Sequence, residues 1–69
     1  MKKQEIIIEL KSRCNKMLNI NKKFEHIKDI LEEEDCFNKI DVKTALNLLT
    51  DLGYDEKMAY AMFEILISK

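Results

Sequence analysis

Three side chains in this 69-residue chain could ligate a transition metal or pair as nucleophile and base: Cys14, His26 and Cys36. Structural zinc sites use Cys or His pairs a few residues apart, because one turn must present two ligands to one ion. Here the three positions are spaced by twelve and ten residues, so no metal centre is expected. If residues around His26 are helical, the imidazole falls opposite Phe24 and Leu31 and reads as an exposed histidine. Cys14 and Cys36 read as reduced, small apolar core residues. The alternative is a redox pair, which would need their Cα atoms within about 7 Å.

Oxygen chemistry is equally thin. Calcium loops place oxygen ligands at alternating positions around a central glycine. Neither 29–40 nor 51–62 has that pattern, and the single glycine, Gly53, rules out a glycine-rich phosphate loop. Glu32, Glu33, Glu34 and Asp35 read as a solvated acidic run, available for charge-mediated contact with a basic partner, rather than as an acid/base pair. The expectation is a non-enzymatic protein with no cofactor and no metal.

These residues must be carried by helices. There is no proline, only one glycine, and no clean apolar/polar alternation between turn residues. Over 4–34, Ile6, Ile7, Leu10, Cys14, Met17, Ile20, Phe24, Ile27 and Leu31 recur at steps of mostly three and four, one face of a helix. An unbroken helix of that length would measure about 45 Å. Asn19-Ile20-Asn21 is its weak point, since asparagine favours caps over helix interiors, and Asn21 could cap a second helix from Lys22. Residues 35–41 read as a connection. Asp41 is the expected N-cap of a helix over 42–51, with Ile40 available for a staple to Ala45 and Val42, Ala45, Leu46, Leu48, Leu49 and Leu52 on one face. Gly53 should end that helix in a Schellman motif, with Asp55 capping a last helix over 56–68. The expected fold is all-α: a single domain forming a small bundle of three helices, or four if the first is broken, with a C-terminal helical hairpin.

Leu52-Gly53-Tyr54 followed by an amphipathic helix resembles the Met-Gly-Phe/Tyr turn of ubiquitin-associated domains. The likeness covers roughly twenty-five residues and rests on a three-residue motif, and the capping role accounts for Gly53, so no family is assigned.

Composition narrows the class. Apolar residues make up 46% and charged residues 36%, which suits a folded helical chain. Ile6-Ile7-Ile8 is too short for a secretory apolar region, and the expected location is cytoplasmic. So few residues bury only about 60% of the unfolded surface, which makes a partner an attractive source of stability.

Two patterns point to contact. The last helix carries Met58, Ala59, Tyr60, Met62, Phe63, Ile65, Leu66 and Ile67 over an arc of about 220°, twice what one-sided packing needs. Met58, Tyr60, Met62, Phe63, Leu66 and Ile67 are therefore the expected partner interface. Charge is also split along the chain. Residues 1–28 hold eight Lys/Arg against three acids, net +5, and residues 29–69 hold four against ten, net −6. On one long helix that order opposes the macrodipole. Two such helices running antiparallel in a two-fold dimer would relieve it, and folding back within one chain would serve equally. The expected function is a regulatory or adaptor protein acting by protein–protein contact, self-associating as a homodimer. The alternative is a nucleic-acid-associated protein using Lys11, Arg13, Lys16, Lys22 and Lys23, of which only Arg13 could read guanine bidentately.

Overall fold

Residue spacing turns into five helices in the computed structural model, which describes residues 2–68. They are α1 (Lys3–Leu18), α2 (Phe24–Glu32), α3 (Cys36–Lys39), α4 (Val42–Asp51) and α5 (Glu56–Leu66), with no strand among the described residues. The longest dimension is 32 Å, too short for an unbroken N-terminal helix of about 45 Å. The 4–34 stretch is thus two helices folded on each other, the connection 35–41 contains the short α3, and the last helix ends at Leu66 instead of residue 68.

The break falls at the asparagines. Asn21 Oδ1 accepts the Lys23 backbone N–H at 3.0 Å, closing a turn that competes with helix continuation. The Asn21 and Lys22 carbonyls then accept from Phe24 and Glu25, starting α2 two residues later than the sequence predicts. Ile20 is the casualty. Counted above on the apolar face, it sits in this turn at 83% exposure, because leaving the helix swings it off the stripe.

α1 is the shared wall. Ile6, Leu10 and Cys14, at steps of four, are fully or almost fully buried, and α1 packs on both α2 and α5. Phe24, Ile27 and Leu31 from α2 close one side, and Ala59, Met62, Phe63 and Leu66 from α5 close the other. Cys36 and Phe37 of α3 and Ala45, Leu48, Leu49 and Leu52 around α4 complete one cluster. No polar side chain is buried whole among the described residues, so specificity rests on apolar packing and on the helix ends.

Those ends follow local chemistry. Asp41 Oδ1 accepts the Thr44 N–H at 2.8 Å and Asp55 Oδ1 accepts the Met58 N–H at 2.7 Å, the expected N-caps. The hydrogen bonds from Thr44 hold the Asp41 carboxyl below its ordinary value. At the start of α1, Glu5 accepts the Lys2 backbone N–H at 3.2 Å. After α4, Gly53 has φ 105°, its N–H donates to the Thr50 carbonyl at 3.0 Å, and the Tyr54 N–H donates to the Leu49 carbonyl at 3.2 Å. This is the Schellman pair. A second positive φ, 55°, falls on Asp35, which turns the chain from α2 into α3.

The opposed charge halves meet inside the chain. Folding back at 19–23 brings Lys3 Nζ to 3.0 Å from Asp35 Oδ1. The arrangement that suggested an antiparallel dimer is satisfied by α1 and the acidic segment of the same molecule.

Two stability tests follow from the helix ends. Gly53→Ala forces a left-handed alanine whose Cβ would lie 3.1 Å from Arg13 Nη1, and should cost about 1–2 kcal/mol in urea unfolding. Asp35→Gly relieves the left-handed backbone while losing an exposed ion pair, so its midpoint should stay near wild type; Asp35→Ala keeps the strain, loses the pair, and should be clearly less stable. Acid titration gives a third. Because the native Asp41 carboxyl lies below its unfolded value, its contribution is complete above the ordinary carboxylate range and fades as the pH falls through that lower value. Asp41→Asn should flatten this part of the stability–pH curve.

Candidate functional site

At 100° per residue, Ala59, Met62, Phe63 and Leu66 span about 100° of α5, and this is the part that enters the core. The 220° arc is therefore a buried centre with two exposed flanks. Met62, Phe63 and Leu66, expected at a partner interface, are core residues of the folded chain, because α1 and α4 both pack on this centre. Tyr60 (48% exposed) and Ile67 (37%) lie on one flank, and Met58 (52%) lies beyond Met62 on the other.

The Tyr60 flank faces an open groove between α4 and α5. Val42, Lys43, Leu46, Asn47, Thr50, Glu56 and Tyr60 line a volume of about 470 Å³. Val42 is 49% exposed and Leu46 half-buried, although both were placed with the core face of α4. The missed signal is a row: residues 42, 46 and 50 recur at steps of four, as do 56 and 60 on α5, so each helix contributes one ridge to the groove. The floor and walls are apolar through Val42, Leu46 and the Tyr60 ring. The rim is polar, with Lys43 and Glu56 exposed and making no ion pair among the described residues.

The charged candidates are placed differently. Glu32, Glu33, Glu34 and Asp35 are exposed, and they share a second groove, of about 400 Å³, with Lys3, Lys11, Ile7 and Leu31. Lys39 Nζ lies 3.8 Å from Glu33. The acidic segment is thus partly answered by Lys3 and Lys39 of its own chain, and Lys11 lines the same groove.

Arg13 is committed to the fold. Its guanidinium stacks 4.4 Å from the Tyr54 ring centroid, donates to the Leu52 carbonyl at 3.3 Å, and lies 4.0 Å from Glu9. It therefore caps the carboxyl end of α4 from α1. The Tyr54 hydroxyl beside it is buried near the Glu9 carboxylate. Burial raises its pKa, with Arg13 pulling the other way and Glu9 adding to the rise. Lys23 lies over the Phe24 ring at 5.2 Å. Lys16 and Lys22 are exposed, on α1 and in the turn after it.

Both thiols are buried. Cys14 Sγ donates to the Phe24 carbonyl at 3.3 Å, tying α1 to the start of α2, and both cysteines are free and buried. Burial pushes both pKa values up, against a weaker pull from Lys28 at Cys14 and from backbone N–H groups of Phe37 and Cys36 at Cys36. His26 is exposed on α2 beside Asp29 and Glu33, and no group of three or more His, Cys, Asp or Glu among the described residues is arranged to hold a metal ion. No described helix is long and apolar enough to cross a membrane.

Alkylation with iodoacetamide checks the thiols. Both should react slowly in the native chain and at ordinary rates in urea. The raised native values also set a sign: this contribution to stability is complete below the ordinary thiol range and is lost as the pH rises through the native values. Rapid native modification of Cys36 at neutral pH would contradict its burial.

No protein-family model, curated protein or solved structure matches the chain, so the functional reading rests on the geometry above.

Proposed function

We propose that the chain is a small non-enzymatic regulatory or adaptor protein that works by protein–protein contact in the cytoplasm, using the groove between α4 and α5. The observation that carries this is the exposed apolar lining of Val42, Leu46 and Tyr60 inside a polar rim, the anatomy of a small interface core. An exposed tyrosine in a groove supplies a large contact area at little entropic cost. Two free cysteines fit a reducing compartment. The competing nucleic-acid reading is weakened where it was strongest, since Arg13 is engaged with Leu52 and Tyr54 and Lys11 shares a groove with the acidic segment.

The test places a photo-reactive benzophenone side chain at position 60, and in a control at exposed position 25, in the chain's native cells. The expected result is a covalent adduct with protein from position 60 and none from position 25. In parallel, binding of a labelled random duplex is followed by anisotropy between about 50 and 200 mM salt. Equal or absent protein adducts, together with salt-sensitive duplex binding lost on combining Lys16→Ala, Lys22→Ala and Lys23→Ala, would transfer the assignment to nucleic acid. Fold is monitored by circular dichroism. Tyr60→Glu should leave it intact, whereas Phe63→Glu should unfold the chain by placing a charge in the core.

A further inference from the structure

We infer that the occupant of the α4–α5 groove is a second copy of this chain, docked by two-fold rotation so that Lys43 of each protomer faces Glu56 of the other. This rests on the groove being a protein-contact surface, as proposed above, and specifies the partner.

The inference comes from the way charge is distributed along the rim. Glu56 is the first residue of α5 and lines the groove next to Thr50, at the end nearest the turn formed by residues 52–55. Lys43 is the second residue of α4 and lines the opposite end, beside Val42. Seven residues of helix separate Lys43 from Thr50, about 10 Å at 1.5 Å per residue. The groove is therefore positive at one end, negative at the other, and apolar between them, where Leu46 and Tyr60 lie.

A surface of that form is complementary to itself. In a two-fold contact, residue i meets residue j and j meets i, so one rotation about an axis near Leu46 and Tyr60 creates two Lys43–Glu56 pairs at once. It also lays each Tyr60 ring toward the apolar lining of the other groove. Neither rim charge has an ion-pair partner among the described residues, and the nearest opposing charge to Lys43 is the exposed Asp41 carboxylate at the N-cap of α4. A partner of uniform charge would meet one matching and one repelling end. The acidic segment 32–35 lies outside this groove, and two of its four acids, Asp35 and Glu33, already pair with Lys3 and Lys39 of their own chain.

The test is the mass of the full chain in solution, by light scattering and sedimentation equilibrium over a range of concentrations, for wild type, Lys43→Glu, Glu56→Lys and the double exchange. Both positions are exposed, and circular dichroism verifies the fold. The wild type should be a concentration-dependent dimer. Each single reversal should raise the dimer dissociation constant about tenfold, because two symmetry-related pairs turn repulsive together. The double exchange should restore the dimer. Mixing the two single variants in equal amounts should give a heterodimer tighter than either homodimer, since all rim pairs are then attractive; this signature belongs to the two-fold arrangement.

A wild type that stays monomeric, a dimer indifferent to both reversals, or a mixture no tighter than its components would each overturn the inference. If the chain is monomeric but position 60 still forms an adduct with another protein, only the second copy is lost and the contact reading stands. If it is monomeric and position 60 forms no adduct, both fall.

Discussion

Everything in this fold leans on one apolar stripe, Ile6–Leu10–Cys14, at the centre of α1. A helix alone in water gains little, since nucleation is unfavourable and packing supplies most helical stability. Here one stripe is covered from two directions, by α2 folding back after the asparagine turn and by α5 arriving from the hairpin. A chain of this length has no room for two cores, so the same three side chains must organise both halves. Cys14 shows the economy of the arrangement. Its side chain fills the stripe, and its thiol donates to the first carbonyl of α2.

The polar interactions are arranged around that stripe without entering it. Arg13, one residue before Cys14, leaves the core side of α1 and reaches the α4–α5 turn, where it satisfies the Leu52 carbonyl and covers Tyr54. Gly53 is required at that point for its positive φ, and the Arg13 guanidinium also passes close to where a Cβ would be. The turn is thereby fixed from within by its Schellman hydrogen bonds and from outside by α1. Lys3 and Asp35 do the corresponding task at the other end, with a smaller energetic effect because both are partly solvated.

The groove between α4 and α5 is a consequence of α5 having two neighbours. Packing against α1 and α4 consumes about 100° of its circumference, and the remaining apolar residues are left at the margins. On one margin Tyr60 overhangs α4 next to Val42 and Leu46 and makes a groove; on the other Met58 stands apart from it. An exposed apolar side chain standing alone, such as Ile8, is ordinary on protein surfaces, whereas Val42, Leu46 and Tyr60 share one groove.

Residue order alone determined the all-helical class, both aspartate N-caps, the glycine terminus of α4 and the start of the hairpin. Each of these is decided within about five residues by which group can satisfy an orphan backbone N–H or carbonyl. The asparagine pair marked the weak point in 4–34, but whether the helix broke there depended on the gain from folding α2 onto α1, which is a long-range quantity. The short α3 was illegible for a related reason: Cys36 and Phe37 form a turn because they reach the core from a left-handed Asp35, and no periodicity shows in four residues. The same limit applies to the surface. Sequence registered that α5 was too apolar, yet Phe63, Met62 and Leu66 differ from Tyr60 and Ile67 only in which neighbour they face. Rotation of a helix about its own axis is settled by the elements packed against it, and so the division of that arc into core and groove belonged to the tertiary structure alone.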